Sequence, residues 1–234
     1  MLCAGLILLL IVLGASALWE RVTPLDGLLG DRQTDTGERR TFALGDGSRL
    51  TLNARSSVDL QSDAAANQVH LRAGELLASA APGSEAPLTV TTRQGAVRAT
   101  DAHFLVRQEE GRSLVAVQEN SVQLLAGGQS YRLQAGQAAW LGSDDIHPAA
   151  VSPHTRGAWQ DGQLEMRNEP LGELVEALRP YRQEMLRISP AAARLRVQGV
   201  FSLDDSAQTL RTLAATLPIQ VSHYGPWVTL IELR

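Results

Sequence analysis

The chain has 234 residues, of which 44% are hydrophobic, so it is long enough for one large domain or two small ones with their own cores. Its 25 acidic residues exceed the 21 basic ones, and the basic residues, all arginines, are scattered, which argues against a nucleic-acid partner. The single cysteine, Cys3, leaves no thiol for disulfides, cysteine-ligated zinc or thiol catalysis in the rest of the chain.

An apolar run opens the chain, from Leu2 to Leu18, and is about long enough to cross a membrane. Trp19 and the charged residues after it resemble an interfacial flank. We favour a membrane helix over residues 1–19 rather than a signal peptide, because no positive charge precedes the run, although "ASA" at 15–17 would suit a peptidase. A buried core helix is a third alternative, but a helix that is apolar on all faces has little to pack against at a terminus.

Residues 20–40 are polar, contain Pro24 and show no periodicity, so we interpret them as a juxtamembrane linker. Beyond them, short apolar alternations recur at roughly ten-residue spacing, which predicts an all-β sandwich or roll over residues 41–145. "GDGS" at 45–48 predicts a hairpin turn. In each predicted strand two apolar residues, spaced two apart, share one face: Phe42 and Leu44, Leu50 and Leu52, Val58 and Leu60, Val69 and Leu71, Leu88 and Val90, Phe104 and Val106, Val115 and Val117, Val122 and Leu124, and Tyr131 and Leu133.

The pattern breaks at residues 143–157, where two prolines lie in a polar run, and we place a linker over 146–158. Residues 159–234 then show helical spacing. The first helix face is Leu171, Leu174, Val175 and Leu178, preceded by Pro170 and ended by Pro180. The second face is Leu210, Leu213, Ala214 and Leu217, with Asp204 and Asp205 as caps and Pro218 as its end.

The apolar residues of these two helix faces have the same spacing, and each predicted helix lies between two short predicted strands. "LEM" precedes the first helix and "VQGVF" precedes the second. The C-terminal part therefore predicts a small α/β domain made of duplicated strand-helix-strand units, with two helices on one face of a sheet.

The histidines do not predict a metal site. His147 stands near Asp144 and Asp145, and His154 follows, but the prolines between them indicate a solvated linker, and no H-E-x-x-H motif occurs. We expect His70 and His103 at the sheet surface or half-buried, and His223 in a turn.

No other pattern indicates catalysis. No serine lies in G-x-S-x-G or S-x-x-K. The glycines at 45–47 and 127–128 precede no helix start, so they predict turns rather than phosphate sites. The paired carboxylates are explained as linker, helix cap and hairpin turn, at Asp144-Asp145, Asp204-Asp205 and Glu109-Glu110. We therefore predict a binding or relay protein with no catalytic residue, no cofactor and no metal.

The stretch "TGERRTFALGDGSRLTLNARSSVDL", residues 36–60, resembles the start of the FecR family of transmembrane anti-sigma regulators. That family commonly has Gly-Glu-Arg-Arg, an Asp-Gly-Ser turn and a Leu-Asn-x-x-Ser strand, which are matched here at residues 37–40, 46–48 and 52–56. Further segments similar to that family follow in order at residues 69–77, 87–107, 115–124 and 133–141. Two positions depart from the family pattern: Ala99-Thr100-Asp101 stands where Leu-Gly-Thr is frequent, and Asn120 stands where Gly is frequent.

The segments "LEMRNEPLGELVEALRPY" and "VQGVFSLDDSAQTLRTLAATLPIQV" resemble the secretin/TonB short N-terminal domain. The combined resemblance implies a single-pass inner-membrane protein with most of its chain in the periplasm. It implies as partners the signalling domain of an outer-membrane TonB-dependent transducer, often for ferric siderophores or haem, envelope proteases, and an extracytoplasmic-function sigma factor. The family's sigma-binding segment precedes the membrane helix, so the resemblance implies a sigma-factor contact through a cytoplasmic segment that is missing from this chain.

We hypothesise that a sheet edge docks the transducer, because unpaired edge amides accept an added strand. The two candidate edges are Arg196–Phe201 and the final strand, 227–233. The first comprises Arg196, Val197, Gln198, Gly199, Val200 and Phe201. The alternative is that both strands are internal to the sheet, because strand propensity does not separate an edge strand from a central one.

The β domain would then be a spacer and a body that shields the chain from proteases. A periplasmic carbohydrate-binding or cell-wall module is the alternative, although 4% aromatic residues provide few stacking platforms. An envelope hydrolase is a third possibility, and no catalytic motif supports it.

Overall fold

A computed structural model describes residues 30–63, 66–84 and 86–234. The predicted membrane helix, residues 1–19, lies outside the described residues. Of the helices within the described ranges, none is both long and apolar enough to cross a membrane.

The first part of the described chain, residues 30–148, has β-strands as its only helices or strands, and we call it the β body. The strands are Arg32–Gln33 (β1), Arg40–Ala43 (β2), Arg49–Leu52 (β3), Ser57–Asp63 (β4), Ala66–Ala73 (β5), Glu75–Ser79 (β6), Leu88–Thr91 (β7), Ala96–Ala99 (β8), Ala102–Gln108 (β9), Ser113–Ala126 (β10), Gln129–Gln134 (β11), Ala138–Leu141 (β12) and Ile146–Pro148 (β13). All-β architecture was predicted for this part of the chain, and it is confirmed.

One curled sheet, rather than two separate sheets, forms the β body. Its strands follow the order β1-β4-β5-β7-β8-β10-β9-β6-β3-β2. The long strand β10 joins two halves, since its first residues pair with β9 and β12 and its later residues with β8 and β11. The register shifts near Val117, and Asn120 has φ +60°, so a bulge there redirects β10 from one half to the other.

The first core lies between these two halves. It contains many of the apolar pairs predicted by alternation, among them Phe104 and Val106, Val115 and Val117, and Val122 and Leu124, all of them at most 2% exposed. The predicted "GDGS" hairpin is confirmed, because residues 44–48 connect β2 to the antiparallel β3. Tyr131, predicted to share the inner face with Leu133, is instead 46% exposed.

The C-terminal region, residues 153–234, contains both helices and strands. Its helices are Pro153–Gly157 (α1), Leu171–Leu178 (α2), Pro190–Ala193 (α3) and Ser206–Thr216 (α4), with short 3-10 turns at Ala158–Asp161 and Arg179–Tyr181. Its strands are Gln163–Pro170 (β14), Met185–Ile188 (β15), Arg196–Ser202 (β16), Ile219–Tyr224 (β17) and Val228–Leu233 (β18). The predicted repeat is present, as β14-α2-β15 followed by β16-α4-β17.

The strands of this region form two small sheets, not the single sheet we expected. β14 pairs with β16, and the other sheet has the order β15-β18-β17. Because β18 follows β17 through a tight turn and pairs with β15 on its other side, it completes a sheet without β14 or β16. The helices α2 and α4 each contact one strand of each small sheet.

The ends of the two long helices follow local chemistry. Asp205 caps α4, since its carboxylate accepts the Gln208 backbone N–H at 2.9 Å. Asp204, the other predicted cap residue, instead binds an arginine of the β body. Pro170 is the residue before α2, and Pro180 lies in the 3-10 turn that follows it.

A second core joins the β body to the C-terminal region. In the pairing register, Leu77 of β6, Leu105 of β9, Ala116 of β10 and Ala138 of β12 form one row. This row lies on the opposite face from Phe104 and packs with Trp159 and the apolar faces of α2 and α4. The half of the sheet made by β6, β9 and β10 is therefore buried on both faces.

Candidate functional site

The strand β16, which contains all six predicted docking residues, has one unpaired edge in the described structure. Along an antiparallel pair of strands, residues alternate between those whose backbone N–H and C=O groups bond the partner strand and those whose backbone groups point away from it. The Leu203 N–H donates to the Gly162 carbonyl at 2.8 Å, which places Phe201 and Gly199 among the bonded positions. Gln198 and Val200 therefore direct their backbone N–H and C=O groups outward.

Side chains along β16 divide in the same way. Val197 is 5% exposed within the second core, and Phe201 packs against that core, while Val200 is 63% exposed. Gln198 is also exposed, and the Arg196 guanidinium donates to the Asn168 carbonyl at 3.0 Å. Gly199 has φ +143°, a conformation that L side chains rarely adopt, so the strand needs glycine there. The outer edge of β16 thus offers unpaired amides beside an exposed valine.

The second predicted edge was wrong. β18, which covers most of the predicted final strand, lies between β15 and β17. Ile231, for example, is paired with Ile188 on one side and Val221 on the other. Its backbone groups are committed to these ladders, so the strand has no free edge.

A polar contact zone, the junction, connects the C-terminal region to a segment we call the strap, residues 34–39, between β1 and β2. The Gly37 N–H donates to the Pro180 carbonyl at 3.0 Å. The Arg39 guanidinium donates to Asp204 at 2.6 Å and lies 5.6 Å from the centre of the Tyr181 ring. Burial opposes the charge of Arg39, but hydrogen bonding and attraction from Tyr181 and Asp204 outweigh it and raise the pKa of this guanidinium.

Behind these contacts lies a chain of hydrogen bonds through Asn53. The Tyr181 hydroxyl donates to Asn53 Oδ1, and Asn53 Nδ2 donates to the Glu75 carboxylate at 2.8 Å. Burial raises the pKa of Tyr181 to about 12. The buried Glu75 carboxyl also has a raised pKa, because desolvation outweighs the opposing effects of Arg107, Asn53 and Arg156.

Other groups complete the junction. The buried Trp159 N–H lies near Glu75 and favours the charged carboxylate, although it makes no hydrogen bond to a described residue. Arg55 donates to Thr36 at 2.9 Å and to the Arg182 carbonyl at 2.8 Å, so it spans the strap and the C-terminal region. The junction was not predicted from the sequence, and its only signal there is the quoted stretch 36–60, which contains Arg39, Asn53 and Arg55.

The histidines and paired carboxylates are dispersed. His147, in β13, bonds Asp145 at 2.7 Å on the surface, and His154 lies in α1. His223 is in β17, where it contacts Thr229, so its predicted turn position was wrong. Burial lowers the pKa of His103. Within residues 30–63, 66–84 and 86–234, no three His, Cys, Asp or Glu side chains are grouped as metal ligands.

An open groove of about 510 Å³ lies on the outer face of the other half of the sheet. Arg98, Gln123 and Arg132 form one row across β8, β10 and β11 at its floor. None of the residues that line the groove is aromatic. The stacking platform that a sugar site would require is therefore missing from this groove.

The chain is similar to known proteins in sequence and in fold. Residues 31–123 match the family described as FecR protein. Two crystal structures of a candidate anti-sigma factor from Parabacteroides distasonis ATCC 8503 have similar folds, with TM-scores of 0.74 and 0.73. Each shares 18% identity and covers 87% of this chain and 98% of the other. No curated protein matches the chain.

The family match confirms the resemblance carried by the stretch 36–60, and it ends at residue 123. The likeness in fold extends over most of the chain and includes both the β body and much of the C-terminal region. The resemblance of the C-terminal region to the secretin/TonB short N-terminal domain stays a prediction.

Proposed function

Because the chain carries a FecR-family domain over residues 31–123, we propose that it is the extracytoplasmic part of a membrane-associated regulator that acts on a sigma factor. The FecR family is regulatory, and the similar fold of a candidate anti-sigma factor supports the same role. In this proposal the C-terminal region receives a signal and the β body holds that region in place.

The proposed partner is the signalling domain of an outer-membrane TonB-dependent transducer for iron-siderophore or haem uptake. Its strand would add to the free edge of β16, which is the observation that carries the proposal. Backbone bonds to Gln198 and Val200 would provide affinity, and the exposed Val200 side chain would contribute specificity. A single inner-membrane anchor, a periplasmic location, an extracytoplasmic-function sigma factor and envelope proteases complete the proposed system.

The docking step can be tested by replacing one residue in two ways. Val200→Pro removes the outward N–H, whereas the matched control Val200→Thr keeps it and retains good strand propensity. We expect the proline variant to lose binding to the signalling domain of the transducer encoded nearest to this gene, and the threonine variant to keep it.

Calorimetric titration measures both affinities, and circular dichroism checks that both variants are folded. Equal binding by two folded variants would contradict docking at this edge. Binding of a cell-wall glycan, with no binding of any transducer domain, would instead favour the carbohydrate alternative.

A further inference from the structure

The strap is held from two sides by different parts of the molecule. On one side, the β body holds Thr34, whose N–H donates to the Ser56 carbonyl at 3.0 Å and whose hydroxyl donates to the Asn53 carbonyl at 2.6 Å. On the other side, Pro180 and Asp204 of the C-terminal region hold Gly37 and Arg39. The protection of residues 37–39 therefore depends on where the C-terminal region lies, whereas Arg40 is paired with Leu52 of β3.

The holding contacts are polar and lie at the rim of the second core. The Asp204 side chain is 62% exposed and that of Arg39 is 19% exposed, so this ion pair is partly open to water. Partly exposed ion pairs are individually weak and exchange readily with solvent. Such contacts can be lost without unfolding the apolar core beneath them.

The acceptor Asp204 lies close to the proposed docking strand. It is two residues beyond the end of β16, and a Cβ placed on Gly162 would lie 2.3 Å from its carboxylate. Gly162 in turn accepts the Leu203 N–H beside the β14–β16 pair. The contact that holds Arg39 is thus built on the same two-stranded sheet that carries the free edge.

We propose that the strap is a conditional protease site, closed by the C-terminal region through Gly37–Pro180, Arg39–Asp204 and Tyr181–Asn53, and opened when that region moves off the β body. This inference deepens the proposed function and rests on it, because a regulator activated by proteolysis needs a segment whose protection can change. Cleavage in the strap would break the covalent connection between β2 and the residues before it, which include β1 and the predicted anchor, and would leave the β1–β4 pairing as the described contact between the two pieces.

An arginine-specific endoprotease is a suitable probe, because the strap ends at Arg39, next to Arg40 at the start of β2. Such an enzyme must take an arginine side chain into its own pocket, and in the closed state Arg39 is occupied by Asp204 and Tyr181. Cleavage after Arg39 in the purified full chain, identified by mass spectrometry, therefore reports opening of the strap, whereas cleavage after Arg40 would report unpairing of β2 from β3.

Asp204→Asn and Tyr181→Phe weaken the closing contacts without changing the strap sequence. We expect Asp204→Asn to raise the rate of strap cleavage about two- to fivefold, as for loss of a partly exposed ion pair. Tyr181→Phe should raise it about two- to tenfold, because Asn53 loses a hydrogen-bond donor. The matched control is Glu165→Gln, which removes the 2.6 Å ion pair to Arg167 on the same region but away from the strap.

Amide exchange followed by NMR provides a second measurement within the strap. In the Asp204→Asn variant the Gly37 amide, bonded to Pro180, should exchange faster, while the Thr34 amide, bonded to Ser56, should not change. Unchanged cleavage and unchanged Gly37 exchange in both variants would overturn the proposal. Equal acceleration of both amides, or an equal effect of Glu165→Gln, would also overturn it.

These results are separable from the docking test. A strap that opens as expected in a chain that binds no transducer domain would leave this inference standing and refute the proposed partner. If the chain binds the transducer domain but strap cleavage does not change when the junction contacts are weakened, this inference is refuted and the proposed partner stands.

Discussion

The two faces of the sheet formed by β6, β9 and β10 are both buried, but by different partners. Phe104 faces the first core, which is enclosed by the two halves of one curled sheet. Its neighbour Leu105 faces the second core, which is completed by the C-terminal region and bordered by the polar junction. The first core fixes the β body, and the second fixes where the C-terminal region lies relative to it.

This difference indicates where regulation can act. An apolar core enclosed by one sheet opens only when that sheet unfolds. A core shared between two regions and rimmed by exchangeable polar contacts can open in part. Substitutions on the two faces should therefore have different consequences.

The largest effect is expected for Phe104→Ala. Phe104 is fully buried in the first core, so its truncation should lower the free energy of unfolding by about 3–5 kcal/mol. Denaturant unfolding measures this loss, with Tyr131→Ala, at an exposed aromatic of the same sheet, as the control. In cells we expect unstimulated signalling or loss of the protein, so normal abundance and basal output would argue against a shielding role for the β body.

Leu105→Ala probes the other face at the adjacent residue. Leu105 is fully buried, and its loss should cost about 2–5 kcal/mol. Hydrogen exchange should rise in α2, whose apolar face packs in the second core, while β4 and β5 keep their protection. If β4 and β5 lose protection as much as α2 does, the two cores are not separable.

Asn53→Ala tests the hydrogen bonds that connect the two regions. It leaves the Tyr181 hydroxyl and the Glu75 carboxylate without the partner each now has, which should cost about 1–3 kcal/mol. Gln123→Ala, which removes a surface amide bonded to Ser130, is the matched control and should be nearly neutral. An equally small effect at both positions would show that the junction adds nothing to stability.

Glu75→Gln should have the smallest effect, and it should depend on pH. The pKa of Glu75 is raised in the folded state, so its contribution to stability is fully present below the unfolded pKa and is lost as pH rises through the folded pKa. Glutamine stays neutral at every pH, so the stability of the variant does not fall in this way as pH rises. We expect the variant to gain stability relative to the parent at pH 7.5 but not at pH 4, measured by denaturant unfolding at each pH. A parent that instead gains relative stability toward pH 7.5 would contradict the raised pKa.

The sequence predicted the first core better than the second. Period-two alternation identifies Phe104 with Val106 and Val115 with Val117, because each pair shares one face. The neighbours Leu105, Leu114 and Ala116 belong to the opposite face and were not assigned a partner. The signal was present, since consecutive apolar residues such as "FLV" at 104–106 are typical of strands buried on both sides.

The candidate sites depended on topology that local patterns do not record. Strand propensity is similar for β16 and β18, and only the pairing order makes one an edge and the other a central strand. The junction joins Arg39 to Asp204 across 165 residues of sequence, so no local motif predicts it. The helix faces, in contrast, follow from local spacing, and Leu171 to Leu178 is helical as predicted.

The most direct test of the account is amide exchange along β16 when a transducer signalling domain is added to the chain. Strand addition predicts that the outward amides of Gln198 and Val200 become protected, while those of Gly199 and Phe201, already directed to β14, change little. Binding that leaves Gln198 and Val200 unprotected, or that protects the edge of β17 instead, would contradict it.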